Sequence, residues 1–390
     1  MRCLAVLLVI AQHMNTGKVT FGWAGVDLFF VLSGFLISGL LFTEYKEQGS
    51  VNVGRFYLRR GLKLYPSFYV MLAATAVLDP LLGQSHGVSQ YLGELFYVQN
   101  YAGWIWPHTW SLAVEEHFYF LLPLLLMGLA YRYGGSRDPF RAVPWVFAIL
   151  AVGCLATRLW MVSHMPDTWL LDWKLTRPVA AETHVRIDSL FFGVLLGYLY
   201  HFRSLEDWVR RHIGVLMGLA VPLLAFAFVK TDNRLMLTVG FTVLYLGFGI
   251  VLMLALTMRD VLPSTLQSGT AGIGSAMAYV GMYSYSIYLW HLPVRVYLPL
   301  AVARITGFHM GPRRTDLLYV PLAILAGIAM SKLVEYPILR LRDRVLPSRH
   351  APIKQGVGSN LGPDALERKD EAAVVRMPHP RPNVIKVDLH

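Results

Sequence analysis

The sequence predicts an all-α fold, a polytopic integral-membrane bundle of about ten transmembrane helices. Three observations carry that prediction. Of 390 residues, 55% are hydrophobic and 15% charged, where a soluble domain carries about 25% charged residues. Mean hydropathy is +0.47. Apolar runs of spanning length recur along the chain, and most Lys and Arg are gathered between them. The net charge of +11 would suggest nucleic acid in a soluble protein. Here the cations flank apolar runs, so the expected partner is the lipid bilayer and no nucleic acid is expected. Cys3 and Cys154 both lie in apolar runs, where they read as small buried hydrophobes. No metal is expected.

A spanning helix needs about 20 largely apolar residues. The candidates are 1–14, 24–43, 63–81, 109–131, 142–163, 187–202, 213–229, 235–257, 276–300 and 315–334. The first and sixth are short, and 63–81 is interrupted at Tyr65–Pro66. No small-residue cleavage site follows His13, so the opening run reads as a span that begins late rather than as a signal peptide. Cations follow the second span (Lys46, Arg55, Arg59, Arg60, Lys63), the fourth (Arg132, Arg137, Arg141), the sixth (Arg203, Arg210, Arg211) and the tenth (Arg340, Arg342, Arg344, Arg349). Residues 64–131 hold neither Lys nor Arg. The positive-inside rule then puts both termini in the cytoplasm. Arg304, Arg313 and Arg314 run against it. From residue 347 the chain turns polar and Pro-rich and reads as a disordered cytoplasmic tail, 347–390. No internal repeat is visible, which weakens a transporter built on inverted repeats.

Ionisable groups in apolar spans are costly and default to functional candidates. Arg2 and His13 are eleven residues apart. At about 100° per residue this is within roughly 20° of whole turns, so both lie on one helix face, about 16 Å apart along the axis. The plain alternative makes Arg2 an interfacial anchor and His13 a packed polar residue. The predicted topology puts Asp27, Glu115, Glu116, Arg186 and Asp188 toward the outer side, with His13. A carboxylate beside a His can orient it as a general base. For Asp27, Arg186 and Asp188 the alternative is capping and ion pairing. On the inner side "GRFYLRRGLKLYP" clusters Arg55, Arg59, Arg60 and Lys63. Such a cluster suits phosphates, or simply anchors the chain. Glu335 ends the last span, where it could pair with an Arg. His291 sits within an aromatic-rich span, before Pro293. The glycines of "GTAGIGSAMA" follow no strand and are not a nucleotide motif.

These stretches together resemble the membrane acyltransferase-3 family, bacterial proteins that O-acylate surface polysaccharides and other acceptors. The resemblance covers about 1–345 and rests on the order and spacing of several stretches. These are the Arg–x10–His of the first span, "GVDLFFVLSGFLI", "FYLRRGLKLYP", "TWSLAVEEHFYFLLP", "RIDSLFFG", "YSYSIYLWHLPV" and Glu335–Pro337. It implies an acyltransferase transmembrane domain over 1–346 in the bacterial inner membrane. It also implies a cytosolic acyl-CoA donor, by default acetyl-CoA, an acceptor on the far side, and a need for Arg2 and His13. Arg59 and Arg60 match the family's arginine motif. Members usually carry about ten residues before the first-span Arg, so a start called too late is expected. Many carry a further extracytoplasmic domain where this sequence has a short tail, so a second transfer step on such a domain is not expected.

The expected function is therefore O-acetyl transfer from acetyl-CoA to a carbohydrate or lipid-linked glycan hydroxyl. Arg59, Arg60 and Lys63 would hold the donor phosphates. Arg2 would line the donor's path. His13 would act as base or brief acyl carrier, oriented by Glu116 or Glu115. Asp27, Arg186, Asp188 and His291 would bind acceptor. The main rival is a proton-coupled membrane transporter. A lipid acyltransferase is disfavoured by the absence of His-x4-Asp, and a structural scaffold by the density of polar groups at matched depths. The sequence does not fix an oligomeric state.

Overall fold

The computed structural model describes residues 1–14, 21–226, 233–258 and 271–347. Among the described residues the chain is helical and without strands. Helices occupy the described residues of the expected spans, with 276–300 divided between Ala271–Met282 and Ser284–Thr306 and 227–229 outside the described residues. Among the described residues six helices are long and apolar enough to cross a membrane: Ala24–Gln48, Val53–Leu81, Pro107–Tyr133, Val143–Ser163, Asn233–Met258 and Pro312–Val345. Leu205–Arg211 and Ile213–Ala225, bent by 89° at their junction, bring the number to seven if taken as one span. The other expected spans fall short of that test for local reasons. Arg2–Gln12 has 11 residues. Thr183–Phe202 carries Arg186 and Asp188, and Ser284–Thr306 carries His291, Arg295 and Arg304. From residue 348 the expected tail lies outside the described residues.

The outward faces fit a multi-pass membrane protein. Along Val143–Ser163, Trp145, Ile149 and Val152 are exposed at the spacing of one helix face. In water such a stripe would need a partner, whereas in a bilayer it meets lipid chains.

Ala24–Gln48 is the central helix, and its tightest neighbour is Thr183–Phe202. A Cβ at Gly34 would lie 1.9 Å from Leu190 O, and one at Gly193 would lie 2.4 Å from Val31 O. Only glycine allows that approach. Gly34 and Ser38 face Gly193 and Gly197 at four-residue spacing, so the two backbones interlock through small residues, as membrane helices do where packing rather than water drives association. Arg2–Gln12 packs on this core with Ala5, Val6, Val9 and Ile10 buried. Cys3 and Cys154 are buried free thiols, and Cys154 Sγ donates to His184 O at 3.3 Å.

Two apolar helices contain π-helical stretches, Met236–Gly240 and Ser331–Glu335. Such bulges often sit at functional sites. The first lines a cavity described below. In the second, Glu335 accepts hydrogen bonds from Ser286 Oγ at 2.8 Å and Ser331 Oγ at 2.7 Å. Glu335 is thus held by serine hydroxyls, where the sequence suggested an arginine.

Candidate functional site

The first helix runs past two cavities. His13, at its C-terminal end, lines a cavity of about 540 Å³ together with Gln12, Trp23, His108, Arg186 and Phe241. Arg2, at its start, lines a smaller cleft of about 80 Å³ with Ser33, Arg60, Lys63, Glu115 and Tyr119. Val26 and Tyr288 belong to the walls of both. The Tyr288 hydroxyl is 2.6 Å from Ser111 Oγ and donates to His108 O at 2.9 Å. The helix arithmetic thus places Arg2 and His13 at two chambers with a common wall.

Three imidazoles gather at the large cavity. The His13 and His291 ring centroids are 5.1 Å apart, and those of His291 and His108 are 4.7 Å apart, both edge-to-face. Each ring meets a backbone carbonyl: His13 Nδ1 with Val9 O at 2.8 Å, His291 Nδ1 with Tyr288 O at 2.5 Å, and His108 Nε2 with Leu289 O at 3.1 Å. A carbonyl oxygen only accepts, so each of those nitrogens carries the proton. In the neutral ring the other nitrogen keeps a lone pair. For His13 that is Nε2, the arrangement of a general base.

The small cleft is organised differently. Arg60 Nη2 donates to the Tyr119 hydroxyl at 2.6 Å, with its guanidinium over the Tyr119 ring at 4.2 Å from the centroid. Tyr119 donates to Glu115 Oε2 at 2.9 Å, and Ser33 Oγ is 2.5 Å from the same hydroxyl. Glu116 accepts from the Tyr65 hydroxyl at 3.0 Å. Neither glutamate pairs with His13. The reason is depth. Their helix begins with a 3-10 turn at Pro107–Thr109, so Glu115 lies about 10 Å below His108 by helical rise. His108, not a carboxylate, reaches the level of His13.

The basic motif divides by helix face. Arg60 and Lys63, three residues apart, share a face and line the cleft. Arg59 is turned about 100° away and meets Asp343 Oδ1 at 3.5 Å and the Leu346 carbonyl. The structure therefore does not bring Arg59 to the cleft. The same logic splits Arg186 and Asp188, two residues apart. Arg186 lines the large cavity, pairs with Asp27 Oδ1 at 2.6 Å and stacks on the Phe241 ring at 3.8 Å. Asp188 faces the other way and pairs with Arg158 Nη2 at 3.0 Å. Asp27 and Asp188 are thus buried counter-ions rather than cavity lining. His291 stands behind the lining, 0% exposed.

Sequence reasoning missed Arg158, His108, Ser111 and Tyr119. An Arg inside the apolar run of 142–163 met the rule applied to its neighbours and was the clearest signal overlooked. His108 lies just outside the predicted span, and nothing in the sequence pairs Tyr119 with Arg60.

The loop that carries His108 is pinned by one buried carboxyl outside the spans. Glu94 Oε1 accepts from Ile105 N at 3.0 Å, Trp106 N at 3.4 Å and Thr109 Oγ1 at 2.8 Å. Burial pushes this carboxyl up from the usual 4.5 to about 7, against the pull of those donors. A carboxyl raised by folding holds its proton more tightly when folded. Its stabilisation is full below pH 4.5 and is lost as pH rises through about 7. Glu94→Gln keeps an acceptor oxygen and does not titrate. Melting temperatures in detergent should therefore fall less steeply from pH 4.5 to 7 in this variant than in the wild type.

A family model described as an acyltransferase domain matches residues 1–334. The O-acetyltransferase OatA of Staphylococcus aureus (strain NCTC 8325) is 28% identical over 324 residues, 76% of this chain and 50% of its own. A protein of Staphylococcus aureus (strain COL) provisionally named an O-acetyltransferase is 29% identical over 324 residues, 75% of this chain and 49% of its own. The chain thus spans about half the length of the curated relatives it matches. No solved structure matches it.

Proposed function

We propose, since this chain belongs to the acyltransferase domain family over residues 1–334, that it is a membrane O-acetyltransferase. Its donor is cytosolic acetyl-CoA. Its acceptor is a hydroxyl of a cell-surface or exported carbohydrate on the far side of the bacterial inner membrane. Both termini are cytoplasmic. The observation that carries this reading is the pair of chambers sharing Val26 and Tyr288. One is lined by Arg2, Arg60 and Lys63, cations suited to an anionic donor. The other is lined by His13 and Arg186.

The chemistry needs few parts. The acceptor hydroxyl gives its proton to His13 Nε2 as its oxygen attacks the thioester carbonyl. The carbon–sulfur bond breaks, the ester forms, and the proton passes on to the departing thiolate of CoA. Arg186, its charge balanced by Asp27, is the cation available to the developing oxyanion or to the acceptor. For this the thioester must reach His13 past the wall formed by Val26 and Tyr288.

The test is mass spectrometry of envelope glycans and exported glycosides from cells with and without the gene. The expected result is an acetyl increment on one sugar, lost on deletion and restored by complementation. A deletion that changes no glycan or glycoside overturns this reading and favours transport.

A further inference from the structure

Arg59 belongs to the basic motif but is turned from the cleft, and its contacts lead to the end of the last described helix. Beyond its π-helical stretch that helix continues as Tyr336–Val345. A helix ends in carbonyls without partners of their own, and cations are favoured beside them. Here the cations come from another helix. Arg59 Nη1 donates to the carbonyl of Leu346, the C-cap residue, and Arg55 Nη2 donates to that of Pro347. Arg59 Nη2 also meets Asp343 Oδ1 at 3.5 Å, and Arg342 Nη2 meets the same oxygen at 2.9 Å.

The start of Tyr336–Val345 is fastened to a second helix of the cleft. The Tyr336 and Tyr283 ring centroids are 5.9 Å apart, and Glu335, just ahead of Tyr336, accepts from Ser286 Oγ at 2.8 Å. Tyr283 and Ser286 flank Ser284 and Tyr285, which line the small cleft. Arg59 adjoins Arg60, which lines the same cleft from Val53–Leu81. Ten residues of helix, about 15 Å, therefore join the two helices that carry these lining residues, with Tyr336, Leu339 and Arg342 buried. The same two helices meet directly where the Tyr285 hydroxyl donates to Leu64 O at 2.9 Å, and both of those residues line the cleft. Their spacing thus decides its shape. We propose that Tyr336–Val345 is a brace that fixes this spacing. Arg59 is then a positioning residue that acts through Asp343 and the brace to set Arg60 and Lys63 against Ser284 and Tyr285. This rests on the acyl-transfer reading above, in which the cleft takes the donor, and gives Arg59 a role other than donor ligand.

The test measures transfer of labelled acetyl to glycan in membrane vesicles, cytoplasmic face outward, over a range of acetyl-CoA concentrations. Asp343→Ala is the deciding variant, because it removes an anion that competes for Arg59. If Arg59 bound the donor phosphates, the released guanidinium would leave the KM for acetyl-CoA unchanged or lower it. The brace predicts the opposite, a KM raised about 5-fold with kcat largely kept, which is what a partly exposed ion pair supports at most. Arg59→Ala should raise KM at least as far, since it also gives up the Leu346 carbonyl. The double variant should be no worse than Arg59→Ala, because two residues that act through one contact are not additive. Where Asp343→Ala fails to fold by gel filtration, Asp343→Asn takes its place, keeping the shape without the charge. An unchanged or lowered KM in the Asp343 variant overturns the proposal, as do additive effects in the double variant. Wild-type vesicles that transfer no acetyl overturn instead the acyl-transfer reading on which it rests.

Discussion

His13→Ala lowers acetyl transfer by about 10²–10⁴-fold, the range that a positioned general base contributes, while the protein inserts and folds. The measurement is incorporation of labelled acetyl from acetyl-CoA into glycan in membrane vesicles, read beside the gel-filtration profile of the solubilised variant. The loss is chemical rather than structural because little of the fold depends on this ring. Among the described residues its ring hydrogen-bonds to Val9 O in its own helix and meets His291 edge-to-face. The helix is held instead by Ala5, Val6, Val9 and Ile10. A second measurement separates the two roles open to His13. Incubated with acetyl-CoA and no acceptor, the wild type yields an unmodified His13 peptide if the ring is a base, and an acetylated one if it carries the group. Normal transfer in His13→Ala would remove the ring from the mechanism altogether. A change in solute uptake with no covalent product would point to the proton-coupled transporter.

The helices were legible because burial in lipid demands long apolar runs, and such runs are a one-dimensional signal. The register of Arg2 and His13 was legible for the same reason, since one straight helix relates its residues by rotation and rise alone. Depth across different helices was not. Glu115 and Glu116 stand five and six residues into the helix Trp110–Tyr133, which begins within one residue of the expected span, and the height of that helix against the first is what a single sequence does not give. Neighbouring residues of one motif were also read as a unit although helix geometry separates them. Arg59 and Arg60 diverge by about 100°, and Arg186 and Asp188 by about 200°, so one member of each pair faces a cavity and the other a neighbouring helix. The close approach at Gly34 and Gly193 is a property of two helices together. The spacing of small residues hints at it, but which helix meets which is settled only in three dimensions.

Asp27 and Arg186 show how a site residue and a structural residue can be told apart by experiment. Both are buried, at 0% and 2% exposure, and they meet at 2.6 Å. Removing one partner strands the other in a medium that cannot solvate it, at a cost of about 3–5 kcal/mol. Asp27→Ala should therefore show a large drop in melting temperature in detergent and poor yield from the membrane. Arg186→Ala should do the same, with the added loss of the contact to Phe241. Replacing both partners by apolar residues of similar volume, Asp27→Leu with Arg186→Met, removes the stranded charge and is expected to recover most of the stability. The neighbouring pair remains in place, because Arg158 is separately tied to Asp188, Val185 O at 3.0 Å and Thr242 Oγ1 at 2.9 Å. The double variant then decides the role of Arg186. If the arginine only neutralises Asp27, the refolded double variant transfers acetyl at nearly the wild-type rate. If its guanidinium serves the cavity it lines, the double variant is stable and inactive. The second outcome is expected, because an apolar pair could fill the same space without placing a cation against a chamber wall.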